Sequence, residues 1–206
     1  MEHTTLAPSD WAAYPRREFA AWFNTLEGLR SAVVIGTTSP RGVHNAAVFS
    51  SLTHVGARPP HLGFVMRPLT VERHTYDNLR ASGFYTVNHL PAPLTEAAHN
   101  TSGKFAAGVS EFEACGLTPL PADGKAPYVA EATVSMLLEF VEEHHIAAND
   151  TVFVVGAVRE IRVPRLASFD ARKADWQAME GVVVSGLYDY YTVAPHASLG
   201  YVSVKA

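Results

Sequence analysis

The stretch SAVVIGTTSPRGVHNAAVFSSLTHVGARPPHLGFVMRPLTVERHTYDNLRASGFYTVN, residues 31–88, decides how the whole chain is read. Residues 31–38 are a short apolar run rich in β-branched side chains, and Ser39-Pro40-Arg41-Gly42 supplies turn chemistry, so strand–turn–strand is expected. Residues 43–53 resume as a second strand of unusual content: Asn45, Ser50, Ser51 and Thr53 are interleaved with Ala46, Ala47, Val48 and Phe49. A strand that only fills a core carries larger apolar residues, whereas small and hydroxyl side chains let a ligand lie close to the backbone. Pro59-Pro60 breaks the chain before a third strand at 61–66. Arg67-Pro68-Leu69-Thr70 follows, and the polar run Glu72-Arg73-His74-Thr75-Tyr76-Asp77-Asn78 heads a short helix. Residues 84–88 form a fourth strand.

Working outward, residues 1–14 read as a loose arm made sticky by aromatics. Pro15 suits a helix's first turn, and 16–29 makes a short helix with Phe19, Trp22, Phe23 and Leu26 on one face. Toward the other end, 95–100 is a short helix. Residues 101–130, rich in Gly, Pro, Ala and Ser without sustained period, read as a long excursion over the body, functional or mobile. Residues 133–146, TVSMLLEFVEEHHI, alternate in part, with helix as a competitor to strand. Residues 151–163 are the strongest strand of the second half, with Gly156 as a bulge or kink. Residues 166–179 suit loop and short helix, and 182–184 and 201–204 short strands or extended ends. Strands outnumber helices and no parallel βαβ rhythm is present, so the expected class is mainly β, an antiparallel barrel decorated with short helices. The organisation is an N-terminal arm and helix, 1–28, before a single domain, 29–206.

Composition bounds the function. With 206 residues, 48% hydrophobic and 17% charged, the chain suits one good core. A formal charge of -4 gives no electrostatic footprint for nucleic acid, and scattered Lys and Arg give no basic helix for a membrane surface. No apolar run approaches the roughly 20 residues that span a bilayer. The first residues lack the charged and apolar regions of a secretory signal, so a cytoplasmic location is expected. The single Cys115 excludes an internal disulfide framework and a cysteine-built metal site. Adjacent His144 and His145 point to opposite faces of a strand, so only one could join a metal site, and none is expected.

The chain resembles the flavin reductase-like family, FMN-binding split barrels, and in particular its flavoredoxin branch. The resemblance rests on Asn45-Ala46-Ala47 followed by Phe49-Ser50-Ser51, on Pro59-Pro60, and on His74-Thr75-Tyr76-Asp77-Asn78 before Gly83-Phe84. Asn100-Thr101-Ser102-Gly103-Lys104, Val109-Ser110-Glu111-Phe112-Glu113, Gly116-Leu117-Thr118-Pro119 and Val184-Ser185-Gly186-Leu187 with Tyr190-Tyr191 extend it from about Leu29 onward. It implies a split antiparallel β-barrel of Greek-key type, FMN as cofactor with NADH or NADPH as a candidate donor, and a homodimer. A redox partner protein or an oxygenase is implied as a further partner.

FMN asks for a close backbone at its ring edge, hydroxyls along the ribityl chain, and cations or N–H groups at its phosphate. Asn45, Ala46, Ala47, Phe49, Ser50 and Ser51 suit the ring; the bland alternative is a polar edge strand without ligand. Arg67, Thr70, His74, Thr75 and Asn78 gather at a helix start and suit the phosphate and ribityl chain; the alternative is a solvated helix end capped by Thr70 or Thr75. Lys104 brings another charge, or is a plain surface lysine. Redox chemistry would then belong to the cofactor, so no catalytic base or nucleophile is expected. Many two-component flavin reductases carry Gly-Asp-His where this chain reads Asn149-Asp150-Thr151. That departure keeps open a second reading, an FMN electron carrier that turns over no small substrate; a flavin-free ligand-binding or purely structural dimer is a third.

Overall fold

The computed structural model describes residues 2–164 and 174–203. Two helices, α1 (Pro8–Ala12) and α2 (Arg16–Leu26), precede the strands. The chain then forms β1 (Arg30–Ser31), β2 (Val33–Thr38), β3 (His44–Phe49), β4 (Thr53–Ala57) and β5 (Pro60–Met66). Next come α3 (His74–Ser82), β6 (Phe84–His89), a 3-10 turn (Ala92–Leu94), α4 (Thr95–Asn100) and α5 (Glu111–Cys115). The remaining strands are β7 (Pro119–Leu120), β8 (Tyr128–Val129), β9 (Val134–Ile146), β10 (Thr151–Arg162), β11 (Val182–Ser185) and β12 (Asp189–Thr192).

Seven strands form one antiparallel sheet in the order β3-β2-β6-β9-β10-β5-β4. Its two edge strands are consecutive in the chain, joined only by residues 50–52, so the sheet must curl back on itself there. Ser51 ties this connection to β5: its hydroxyl accepts from the Val65 amide at 3.0 Å and donates to the Val65 carbonyl at 3.1 Å. A side chain thus substitutes for one rung of backbone ladder, and the strand expected over 43–53 divides at that point. The β2–β3 hairpin turns where Ser39-Pro40-Arg41-Gly42 predicts, with Gly42 at φ +80° and its amide bonded to the Ser39 carbonyl at 2.9 Å.

Period-2 alternation sorts the side chains onto two cores. Val33 and Ile35 of β2 face inward with Phe64, Met66, Tyr85, Val87, Leu138, Val152 and Val154, and Leu79 of α3 plugs this interior. Val34 faces outward, against Leu90, Ala98, Phe112, Leu117 and Val129. Gly156 lies at a register shift between β9 and β10, as expected of a bulge. A Cβ there would collide with the Tyr85 phenol, which is why the position tolerates no side chain.

Some expectations change. The competitor helix over 133–146 does not form; β9 pairs on both sides, with β6 and β10, and this pairing overrides any helical tendency. The excursion over 101–130 packs closely against the outer face, with Thr101, Phe112, Leu117, Ala126 and Val129 buried. Its anchor is Asn88, which donates to the Val34 carbonyl at 3.1 Å and to the Thr86 hydroxyl at 2.9 Å, and accepts from the Val129 amide at 3.0 Å. Thr86 completes the clamp by donating to the Pro127 carbonyl at 2.6 Å, an approach that only glycine at position 36 permits. In the arm, residues 8–12 form a helical turn, and residues 201–203 are not a strand. The expectation for 166–179 falls mostly on 165–173, outside the described residues; 176–180 is a turn.

Candidate functional site

Helix α3 stops at Gly83 in the left-handed conformation, φ +73°, with the Gly83 amide bonded to the Leu79 carbonyl at 2.9 Å. At its start, Arg73 stands in the capping position and gives no side-chain cap. Neither Thr70 nor Thr75 serves as the cap. The leading N–H groups of the helix therefore have no side-chain acceptor among the described residues, and the dipole adds partial positive charge there. Arg67 and Thr70 are exposed beside this start in the chain, and His74 is half-buried, 3.5 Å from the Glu72 carboxylate. The Arg73 guanidinium leans back to the Pro68 carbonyl at 3.4 Å, folding the 67–73 loop over itself. An uncapped helix start with arginines in its approach is suited to a phosphate.

The opposite face of the same turn is polar and buried. Thr75 and Asn78, three residues apart, share one helix face with Leu79. Thr75 donates to Asn45 Oδ1 at 3.0 Å, Thr37 donates to the same oxygen at 3.2 Å, and Asn78 Nδ2 donates to the Thr37 hydroxyl at 3.1 Å. Three residues singled out in the sequence, Asn45, Thr75 and Asn78, are thus brought together, joined by Thr37, which sequence reading missed. The β2–β3 turn was the available signal, because its register sets Thr37 directly opposite Asn45. The network fixes α3 on the end of β2 and β3. Asn45 is 7% exposed, and its amide nitrogen has no hydrogen-bond partner among the described residues. The oxygen end of this side chain is spent inside the fold, and the nitrogen end, with its two donors, is the part that keeps access to the surface.

Along β3, Ala46 is buried, while Ala47, Phe49, Ser50 and Ser51 are half-buried. Phe49 packs edge-on against Phe64, ring centroids 5.1 Å apart. The hydroxyl of Ser51 is committed to Val65, while that of Ser50 has no partner among the described residues. The Ala46 amide donates to the Glu111 carboxylate at 3.3 Å. Glu111 is buried on α5; it stands in the Val109–Glu113 motif quoted for the resemblance, but sequence reading gave it no site role. Lys104 is exposed on the turn after α4, in the segment laid over the outer face.

Other features contribute less. Burial, and then the Glu111 carboxylate, push the Cys115 thiol up, away from nucleophilic thiolate character. His144 and His145 pair separately with Glu142 at 3.3 Å and Asp150 at 3.4 Å on the exposed β9–β10 hairpin. Asn149 closes that hairpin's turn, its side-chain oxygen accepting from the Thr151 hydroxyl at 2.7 Å. Two cavities, of about 730 and 210 Å³, lie elsewhere, and none of the site residues expected from the sequence lines either.

Residues 26–175 match the model of the family described as Flavin reductase like domain. A Shewanella frigidimarina protein with a split barrel domain shares 37% identity over 97% of this chain and 100% of its own, with a TM-score of 0.92. Nitrilotriacetate monooxygenase component B from Bacillus cereus is 16% identical, with coverage of 97% and 100% and a TM-score of 0.84. Flavoredoxin of Desulfovibrio vulgaris is 19% identical, with coverage of 84% and 92% and a TM-score of 0.72. The last two show likeness of fold.

Proposed function

Since the chain belongs to the flavin reductase-like family, we propose that it is an FMN-binding oxidoreductase that passes electrons from a reduced nicotinamide, or from a protein donor, to an acceptor. The observation that carries this reading is the pairing of an uncapped α3 start with the Asn45 side chain, whose oxygen is held by Thr75 and Thr37 and whose two N–H donors have no partner among the described residues. The helix start, Arg67, Thr70 and His74 would receive the phosphate. Asn45, Ala47 and Ser50 would face the ring and ribityl chain, with Ala46 and Phe49 shaping the strand beneath. Thr75 and Asn78 would act by fixing the helix start, since their side chains are spent on Asn45 and Thr37. Ser51 would hold the strand's path through Val65. Lys104 would supply a further charge from the outer segment.

When bound, FMN supplies the hydride- and electron-transfer chemistry. The residues of this chain bind, orient and shield, and no side chain is required as a base or nucleophile. A homodimer is supported by the exposed Trp22, Phe23 and Leu26 of α2, an apolar face without a cover among the described residues. A gel-filtration mass near twice the chain's 22.3 kDa is the expected result. Among the described residues, no helix is long and apolar enough to cross a membrane.

The self-closed Asn149 turn, standing where related reductases place Gly-Asp-His, favours a second reading: an FMN carrier fed by a protein donor. One anaerobic experiment separates the readings. FMN absorbance that bleaches on adding NADH or NADPH establishes the reductase. Bound FMN that bleaches only with dithionite establishes the carrier. Failure to take up FMN removes both.

A further inference from the structure

The barrel end away from α3 holds a second buried polar group. His89, at the end of β6, pairs in register with Val33 at the start of β2, four residues from Thr37 and so roughly 13 Å along the strand from the Asn45 network. Its side chain is 9% exposed, and its ring has no hydrogen-bond partner among the described residues. Trp176 lies against it with ring centroids 4.8 Å apart. That indole is seated by its own turn: the Gly181 amide bonds the Trp176 carbonyl at 3.0 Å, and a Cβ on Gly181 would meet the indole ring at 2.7 Å.

His89 and Trp176 line a cavity of about 210 Å³ together with Ser31, Val182, Val183 and Val193. The volume is below the roughly 300 Å³ at which drug-sized sites begin, so it suits a single small ring. The lining carries no carboxylate, lysine or arginine, so a charged guest would lose its hydration without compensation. Burial pushes His89 down to about 4, so at neutral pH its imidazole offers one donor and one acceptor and no charge. Ser31 adds a hydroxyl.

We infer that this cavity is a binding site for a small uncharged ligand, mainly apolar with a single hydroxyl or carbonyl, held between the Trp176 ring and the valines and hydrogen-bonded to His89 and Ser31. The site is separate from the proposed flavin site and does not depend on it.

The test uses the whole chain carrying Trp11→Phe and Trp22→Phe, which leaves Trp176 as the one tryptophan of the three. Cyclohexanol, transparent where indole emits, is titrated while Trp176 fluorescence is followed, with and without FMN. A saturable change is expected, weakened about fivefold by Ser31→Ala and abolished by Val193→Phe, which fills the cavity from a half-buried position. Cyclohexanecarboxylate should give no change. Absence of a saturable response to cyclohexanol, an equal response to the carboxylate, or a response untouched by Val193→Phe would each overturn the assignment. Circular dichroism of both variants guards against loss of fold, and a parallel thermal shift with cyclohexanol on the unsubstituted protein should show stabilisation.

Discussion

Two buried asparagines, Asn88 and Asn45, sit on the same curled sheet and are used in opposite ways. Asn88, on the outer face, spends both amide donors on Val34 and Thr86 and its oxygen on Val129. Asn45, at the α3 end, spends only its oxygen, on the hydroxyls of Thr75 and Thr37. The Asn45 nitrogen is not sealed in the interior, so its two donors can meet a ligand, which those of the saturated Asn88 cannot. The difference separates a residue that holds the fold from one that can also meet a ligand.

Asn88→Ala should have the largest effect on that contrast. It leaves the Val129 amide buried and unpaired and removes the side-chain donors from the Val34 carbonyl and the Thr86 hydroxyl, a loss of about 4 kcal/mol. Urea unfolding should show it, together with release of the 101–130 segment to proteolysis. A loss below about 1 kcal/mol would mean the clamp is dispensable.

Acid should act on the β6 side of the barrel next. His89 is held down to about 4 by burial, below its ordinary 6.5, so the unfolded chain binds the extra proton first. Stability is full above pH 6.5 and falls as pH drops toward 4, by about 3 kcal/mol in all. His89→Gln should flatten that part of a stability–pH curve, and an unchanged slope would assign it to other groups.

Asn45→Ala sharpens the comparison from the other side. The hydroxyls it frees can turn elsewhere, so the expected stability loss is only about 1.5 kcal/mol. FMN affinity should fall at least about tenfold, equivalent to about 1.4 kcal/mol. A fluorescence titration showing native affinity would make Asn45 as purely structural as Asn88. The smallest expected effect belongs to Tyr76→Phe, which removes a bond to Glu143 of 3.0 Å on the partly exposed side of α3. A loss of about 0.5 kcal/mol is expected, with FMN affinity unchanged.

Legibility in the sequence followed the range of the interactions. The β2–β3 hairpin, the α3 start and the Gly156 bulge were readable because turn residues, polar runs and an interrupted β-branched strand are local signals. The match of Asn45 with Thr75 and Asn78 was readable only as a shared suspicion, since nothing local shows that a strand residue and a helix thirty positions later meet. That 101–130 runs over the body was readable, but how it is held was not, because its anchors are Asn88, Thr86 and the bare backbone of Gly36, all on other strands. Composition rich in Gly, Pro and Ala records flexibility of the free chain and not the clamp that removes it.

The sequence by itself determined a mainly β domain, the alternation that sends Val33 and Ile35 inward and Val34 outward, and the candidate residues of β3 and α3. Tertiary structure decided what those residues are free to do. Ser51 became a tie from the β3–β4 connection to β5, Thr75 and Asn78 became supports, and Asn45 kept its donors unspent. The physical reason is that a hydrogen-bonding group has a fixed capacity, and only the folded arrangement shows how much of it the protein has already used.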